Sequence, residues 1–167
     1  FSLVRRVVGN LGLDHAAPAP FAPETSLGEA LLTPTRIYVK SCLAAIGSGG
    51  VKALAHITGG GFVENLPRVI PEGLGVVLDG VTWPVPAVFR WLAEAGSIAA
   101  PEMMRTFNCG VGMAAVVDPQ EAGRVRAALE AAGEGGFLLV ATQHDPATEH
   151  PGPHDLHPVG GIARGVK

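Results

Sequence analysis

The spacing of apolar side chains changes along the chain from helical to strand-like several times. Leu3, Val4, Val7 and Val8 fall on one face of a helix that begins at the first residues. Residues 13–23, rich in Ala and Pro, read as a surface loop. Thr33 followed by Pro34 has the form of an N-cap with proline at the first helical position. Ile37, Tyr38, Ser41, Cys42 and Ala45 then repeat at helical spacing, which predicts a helix over 34–46. The run 51–55 reads as a short buried strand ending at His56, with glycines on both sides.

Downstream, residues 62–69 hold a short helix stopped near Pro71, and Val76-Val77-Leu78 form the centre of a strand over 74–79. Val88, Phe89 and Leu92 share a helical face within 86–96, with Gly96 as C-cap, and Pro101 opens a further short helix. A strand over 111–117 leads into Asp118-Pro119-Gln120-Glu121. That sequence supplies an N-cap, a first-turn proline and a capping-box glutamate for a helix reaching Ala132. An apolar strand over 137–142 follows, and the His-, Pro- and acid-rich stretch 144–158 reads as an exposed insertion. Strands alternating with helices imply a layered α/β or α+β fold, with strand order left open.

Composition narrows the classes. The chain has 167 residues and is 47% hydrophobic, enough to bury a core and suited to a single domain over 1–167. A formal net charge of −3 provides no basic field for a nucleic-acid backbone, so DNA and RNA are not expected as partners. Two cysteines, Cys42 and Cys109, make neither a disulfide framework nor a zinc pair and fit a reducing cytoplasm. No apolar run approaches the roughly 20 residues that span a bilayer, so no membrane association is expected. The opening at Phe1, already in a helical pattern, reads as a start within a longer protein.

The chemistry concentrates around residues 56–68. Gly59-Gly60-Gly61, after a strand and before a helix, can present backbone N–H groups to an anion such as phosphate, or can simply be a structural turn. His56 suits phosphate contact or proton donation, and Thr58 adds a hydroxyl, although a lone histidine at a strand end also serves as hydrogen-bonded structure. Asn65 and Arg68, a helical turn apart, either bind polar substrate groups or cap and solvate a short helix. In the 108–112 segment, Cys109 lacks an identifiable base and reads as a packed residue, while Asn108 is the better polar contact. His144, His150, His154 and His157 match no zinc spacing, so no metal site is assigned.

Four segments together resemble the carboxy-terminal half of phosphoribosylformylglycinamidine cyclo-ligase, also called aminoimidazole ribonucleotide synthetase. They are FSLVRR at 1–6, LLTPTRIYVKS at 31–41, KALAHITGGGFVENLPRV at 52–69 and RTFNCGVGM at 105–113, and the resemblance extends over about residues 1–133. Relatives such as selenophosphate synthetase and thiamine-monophosphate kinase share the architecture. At the glycine loop they carry an aspartate-led variant, whereas HITGGG with NCGVGM resembles the cyclo-ligase form.

The resemblance implies a layered sandwich in which a mixed β-sheet is packed with helices, with residues 135–157 as an insertion or divergent tail. It implies ATP-dependent closure of formylglycinamidine ribonucleotide to aminoimidazole ribonucleotide in purine biosynthesis. ATP and magnesium are bound mainly by an amino-terminal domain outside these residues, so the chain alone is expected to be inactive. A cytoplasmic homodimer is also implied. His56 and Thr58 are then the expected catalytic residues, and Gly59, Gly60, Gly61, Asn65, Arg68 and Asn108 the expected substrate- and phosphate-binding ones. The alternative from another class is a noncatalytic nucleotide-binding or assembly domain.

Overall fold

In the computed structural model, residues 1–78, 83–133, 137–144 and 164–165 are described. Helix α1 (Ser2–Asn10) buries Val4, Val7 and Val8, as the periodicity predicts. Strands β1 (Pro18–Ala19) and β2 (Ala22–Ser26) pair antiparallel, beginning inside the stretch 13–23 expected to be a plain loop and extending beyond it. Helix α2 (Leu27–Leu31) follows at once. Its start is a capping box: Ser26 Oγ accepts from the Glu29 N–H while the Glu29 carboxylate accepts from the Ser26 N–H. The Ser26 hydroxyl, donating to the Glu29 carboxylate at 2.7 Å, and then the Ser26 N–H hold the Glu29 carboxyl below its ordinary pKa.

Helix α3 (Val39–Ser48) begins later than expected. Thr33 does not cap it. The Thr33 hydroxyl instead donates to the Ala30 carbonyl and closes α2, and residues 33–38 run irregularly into α3. Strand β3 (Val51–His56) and helix α4 (Gly61–Asn65) bracket the glycine turn. Of the strand expected over 74–79, only β4 (Leu74–Gly75) is laddered; residues 76–78 make no strand pairing, though Val76 and Leu78 still pack on the core.

Helices α5 (Ala87–Ala95), with Gly96 as C-cap, and α6 (Ala100–Thr106), with Pro101 in its first turn, form as predicted. Strand β5 (Met113–Val117) leads to α7 (Ala122–Ala131). The predicted capping box at its start is not made: Asp118 Oδ1 accepts from the Gln120 N–H in a local turn, and Glu121 pairs with Arg124 at 2.6 Å. The chain continues through β6 (Phe137–Val140), β7 (Gln143–His144) and β8 (Arg164–Gly165).

The main sheet has the order β3-β5-β6-β8. β3 and β5 are antiparallel, β5 and β6 are parallel with α7 as the crossover, and β6 and β8 are antiparallel. Strand β7 pairs separately with β4. Within the stretch 135–157, residues 137–140 form β6, an inner strand of the sheet, as the apolar run there predicts. His150, His154 and His157 lie outside the described residues.

Strict alternation assigns the two faces of the inner strands. Ala114, Leu138 and Val140 join Val4, Val7, Val8, Phe62, Leu92 and Met103 in a core beneath α1, α4, α5 and α6. Met113, Ala115, Val117, Phe137 and Leu139 join Ala45, Val125 and Leu129 beneath α3 and α7. The result is a mixed sheet between two helical layers, the layered α/β arrangement anticipated from the sequence.

This packing leaves Leu138 with no solvent exposure at all. Leu138→Ala is expected to lower the unfolding free energy by about 2–5 kcal/mol, measured by chemical denaturation.

Candidate functional site

The glycine turn is fixed from beneath. Gly60 and Gly61 both adopt left-handed backbone, with φ of 93° and 56°, and a methyl group on Gly61 would overlap the Met104 carbonyl of α6. The two glycines thus serve the turn and the α4–α6 approach. Gly59 differs: a methyl there would meet nothing within 4 Å, so its face of the loop is open.

Asn65, buried to 5% exposure, sits under this turn. Its Nδ2 donates to the Gly61 carbonyl at 2.7 Å and to the Gly59 carbonyl at 3.2 Å. Its Oδ1 accepts from Arg68 Nη1 at 3.4 Å. The Asn65 amide is thus engaged by the loop it braces. Arg68 projects outward beside Glu64, 4.0 Å away, and both side chains are more than half exposed. Such a pair contributes little to stability and leaves the guanidinium within reach of an anion.

Among the N–H groups of the turn, that of Gly61 donates to the Thr58 carbonyl at 3.0 Å. Those of Gly59 and Gly60 make no hydrogen bond among the described residues. The Glu64 side chain folds back onto Gly60, so the open approach to the loop is from the Gly59 side. His56 and Thr58 are both exposed, on either side of Ile57, which is buried in the core.

A second loop meets the first. The Ile57 N–H donates to the Gly112 carbonyl at 2.8 Å, extending the β3–β5 ladder beyond His56, which pairs with Met113. The 107–112 segment is itself a tight turn. Asn108 Oδ1 accepts from the Gly110 N–H at 3.1 Å, and Cys109 takes left-handed backbone at φ 48°. Trp83 Nε1 donates to the Cys109 carbonyl at 3.2 Å and holds this strained residue in place. Asn108 is thus partly committed to its own turn. Burial raises the Cys109 thiol above its ordinary pKa, which opposes a thiolate nucleophile.

Tyr38 completes this end of the sheet and was not among the expected site residues. Its ring stands edge-on to His56 with centroids 6.0 Å apart, and edge-on to Phe137 at 5.5 Å. The segments PTRIYV, HITGGGF and FNCGVGM, far apart in sequence, therefore converge where β3 ends and β5 and β6 begin. Nothing in the local pattern around Tyr38 distinguishes it from a helix-packing residue. A cavity of about 580 Å³ between α1, α5 and α6, lined by Arg6, Ser97 and Glu102 among others, contains none of the expected site residues.

Two expectations test this geometry. Asn65→Leu strands two loop carbonyls and is expected to cost about 1–3 kcal/mol of stability, whereas Arg68→Ala stays within about 0.5 kcal/mol, both read by chemical denaturation. In the native protein, iodoacetamide should label Cys42 first. Labelling of Cys109 should become appreciable only above the pH range of an ordinary thiol, followed by peptide mass spectrometry.

Comparison with known families agrees with this arrangement. Residues 1–137, which carry every one of the converging segments, match the family described as AIR synthase related protein, C-terminal domain. By that match and by its mixed sheet between helical layers, the chain belongs to the AIR synthase-related C-terminal domain family.

Proposed function

We propose that the chain is the carboxy-terminal domain of an ATP-dependent cyclo-ligase that converts formylglycinamidine ribonucleotide to aminoimidazole ribonucleotide. The observation that carries this reading is the convergence of HITGGGF with FNCGVGM at one end of the sheet. There the open N–H groups of Gly59 and Gly60 stand near exposed His56 and Thr58. Family membership alone covers several ATP-using enzymes, and these two segments in their HITGGG and NCGVGM forms favour the cyclo-ligase among them.

In the proposed reaction the γ-phosphoryl group of ATP passes to the formyl-amide oxygen of the substrate, and ADP leaves. The ring-closing nitrogen then attacks the activated carbon and expels phosphate. Phosphoryl transfer of this kind depends on positioning and on stabilising charge already in place. The backbone N–H donors at Gly59 and Gly60 hydrogen-bond to phosphate oxygens without the loop itself reorganising, because Asn65 and Met104 lock it from below, while the Glu64 carboxylate that leans on Gly60 swings aside. Arg68 adds a positive charge at the rim. His56 donates a proton to a phosphate oxygen or to the departing group, and Thr58 adds a hydroxyl contact.

In the proposed reaction magnesium accompanies ATP, and no step is assigned to it on this chain. In this reading the amino-terminal domain of the same enzyme supplies the magnesium and ATP contacts.

Joined to such an amino-terminal domain, the chain is expected to form aminoimidazole ribonucleotide from ATP and formylglycinamidine ribonucleotide, detected by chromatography. His56→Ala should lower turnover at least about tenfold with an unchanged melting temperature. An unaltered rate would remove His56 from the mechanism, and failure of the unmutated protein to form product would remove the cyclo-ligase reading.

A further inference from the structure

Phe137, Tyr38 and His56 form a short ladder of rings running from the core to the surface. Phe137 is 2% exposed, Tyr38 is half-buried and His56 is exposed. Each step is edge-on, with interplanar angles of 80° between Phe137 and Tyr38 and 66° between Tyr38 and His56. Edge-on packing suits the quadrupoles of aromatic rings, with the positive edge of one against the negative face of the next. The three rings come from three separate pieces of chain: the start of β6, the residue before α3 and the last residue of β3.

Gly112 makes this ladder possible. The hydroxyl end of the Tyr38 ring lies directly over the Gly112 backbone. A methyl group there would overlap the phenol oxygen and stand 2.7 Å from Cζ and 2.8 Å from Cε2. Gly112 has no left-handed φ, so what its missing side chain admits is the end of the Tyr38 ring in its present position. Its carbonyl also receives the Ile57 N–H, so the tyrosine rests on the backbone position that anchors the residue after His56.

An exposed imidazole at a strand end is otherwise free to rotate about two side-chain torsions. A ring fixed against a buried phenylalanine and seated on glycine removes part of that freedom on one side. We propose that Tyr38 is a positioning residue that sets the orientation of the His56 imidazole for an anionic ligand at the glycine loop, with Gly112 reserved to admit it. Its role as a support for phosphate contact rests on the proposed function of His56.

Nuclear magnetic resonance on the labelled chain, with inorganic phosphate as probe, tests the link. In the unmutated protein the Tyr38 ring protons should show nuclear Overhauser contacts to the His56 imidazole. Tyr38→Leu should shift the imidazole resonances by removing the ring current and should weaken phosphate binding about tenfold, read at the Gly59 and Gly60 amides. Tyr38→Phe keeps the ring and should leave both nearly unchanged, while Gly112→Ala, by displacing the ring, should reproduce Tyr38→Leu.

Unmoved His56 resonances in folded Tyr38→Leu, or no Tyr38–His56 contact in the unmutated protein, overturn the inference. The second observation decides the matter even where the leucine variant does not fold. Phosphate binding that persists at full strength in Tyr38→Leu overturns the inference and leaves the anion site standing. An unmutated protein that shows the ring contact but binds no phosphate overturns the anion-site reading and, with it, the proposed purpose of the positioning.

Discussion

Strands β5 and β6 have no face that meets solvent: all five residues of the one and all four of the other are buried. A parallel pair of this kind is stable only when both of its faces are covered, because each face is apolar and each carries side chains at a two-residue period. One face is covered by α3 and α7 and the other by α1, α4, α5 and α6. The connections that bring helices to both sides are also what gather loops from 33–38, 57–61 and 107–112 at one end of the sheet. The site is therefore a consequence of how the two inner strands are buried.

Within that end, most of the polar apparatus is spent on holding shape. Asn65 gives its amide protons to two loop carbonyls, Asn108 accepts from its own turn, and Trp83 secures a residue in left-handed backbone. Gly61 is required by the Met104 carbonyl, and Gly112 leaves room for the Tyr38 ring. Rigidity of this sort suits a surface that must present fixed donors to a charged ligand, since donors already in place do not have to be organised when the ligand arrives. What is left is a short set: the Gly59 and Gly60 N–H groups, which make no hydrogen bond among the described residues, and the exposed side chains of His56, Thr58 and Arg68.

The conventional reading of a glycine-rich loop assigns all its glycines to one purpose, and the geometry separates them. Gly61 permits a helix-to-helix backbone approach, while Gly59 faces open space and has no packing reason to lack a side chain. The same division runs through the neighbouring motif, where buried Cys109 supports the turn and Gly112 admits an aromatic ring. Exposure and what a side chain would strike discriminate between these cases; residue type does not.

Local pattern was enough to find α1, α5, α6, β3, β5 and β6, because each has a clean helical or strand period and a core to bury it in. The motifs at 31–41, 52–69 and 105–113 were enough to indicate the family, since their order is carried in the chain itself. The start of α3, the β1–β2 hairpin and the beginning of α7 depart from the local pattern, because Thr33, the Ala-Pro run and Glu121 each found a partner that propensity does not register. The Ser26/Glu29 capping box is written in the chain as an S-x-x-E pattern. Only the tertiary structure decided that Asn65 braces the loop, that Glu64 leans on Gly60, and that Tyr38 stands against His56. Those facts depend on which surfaces face one another across the sheet, a relation between residues distant in sequence that no local period encodes.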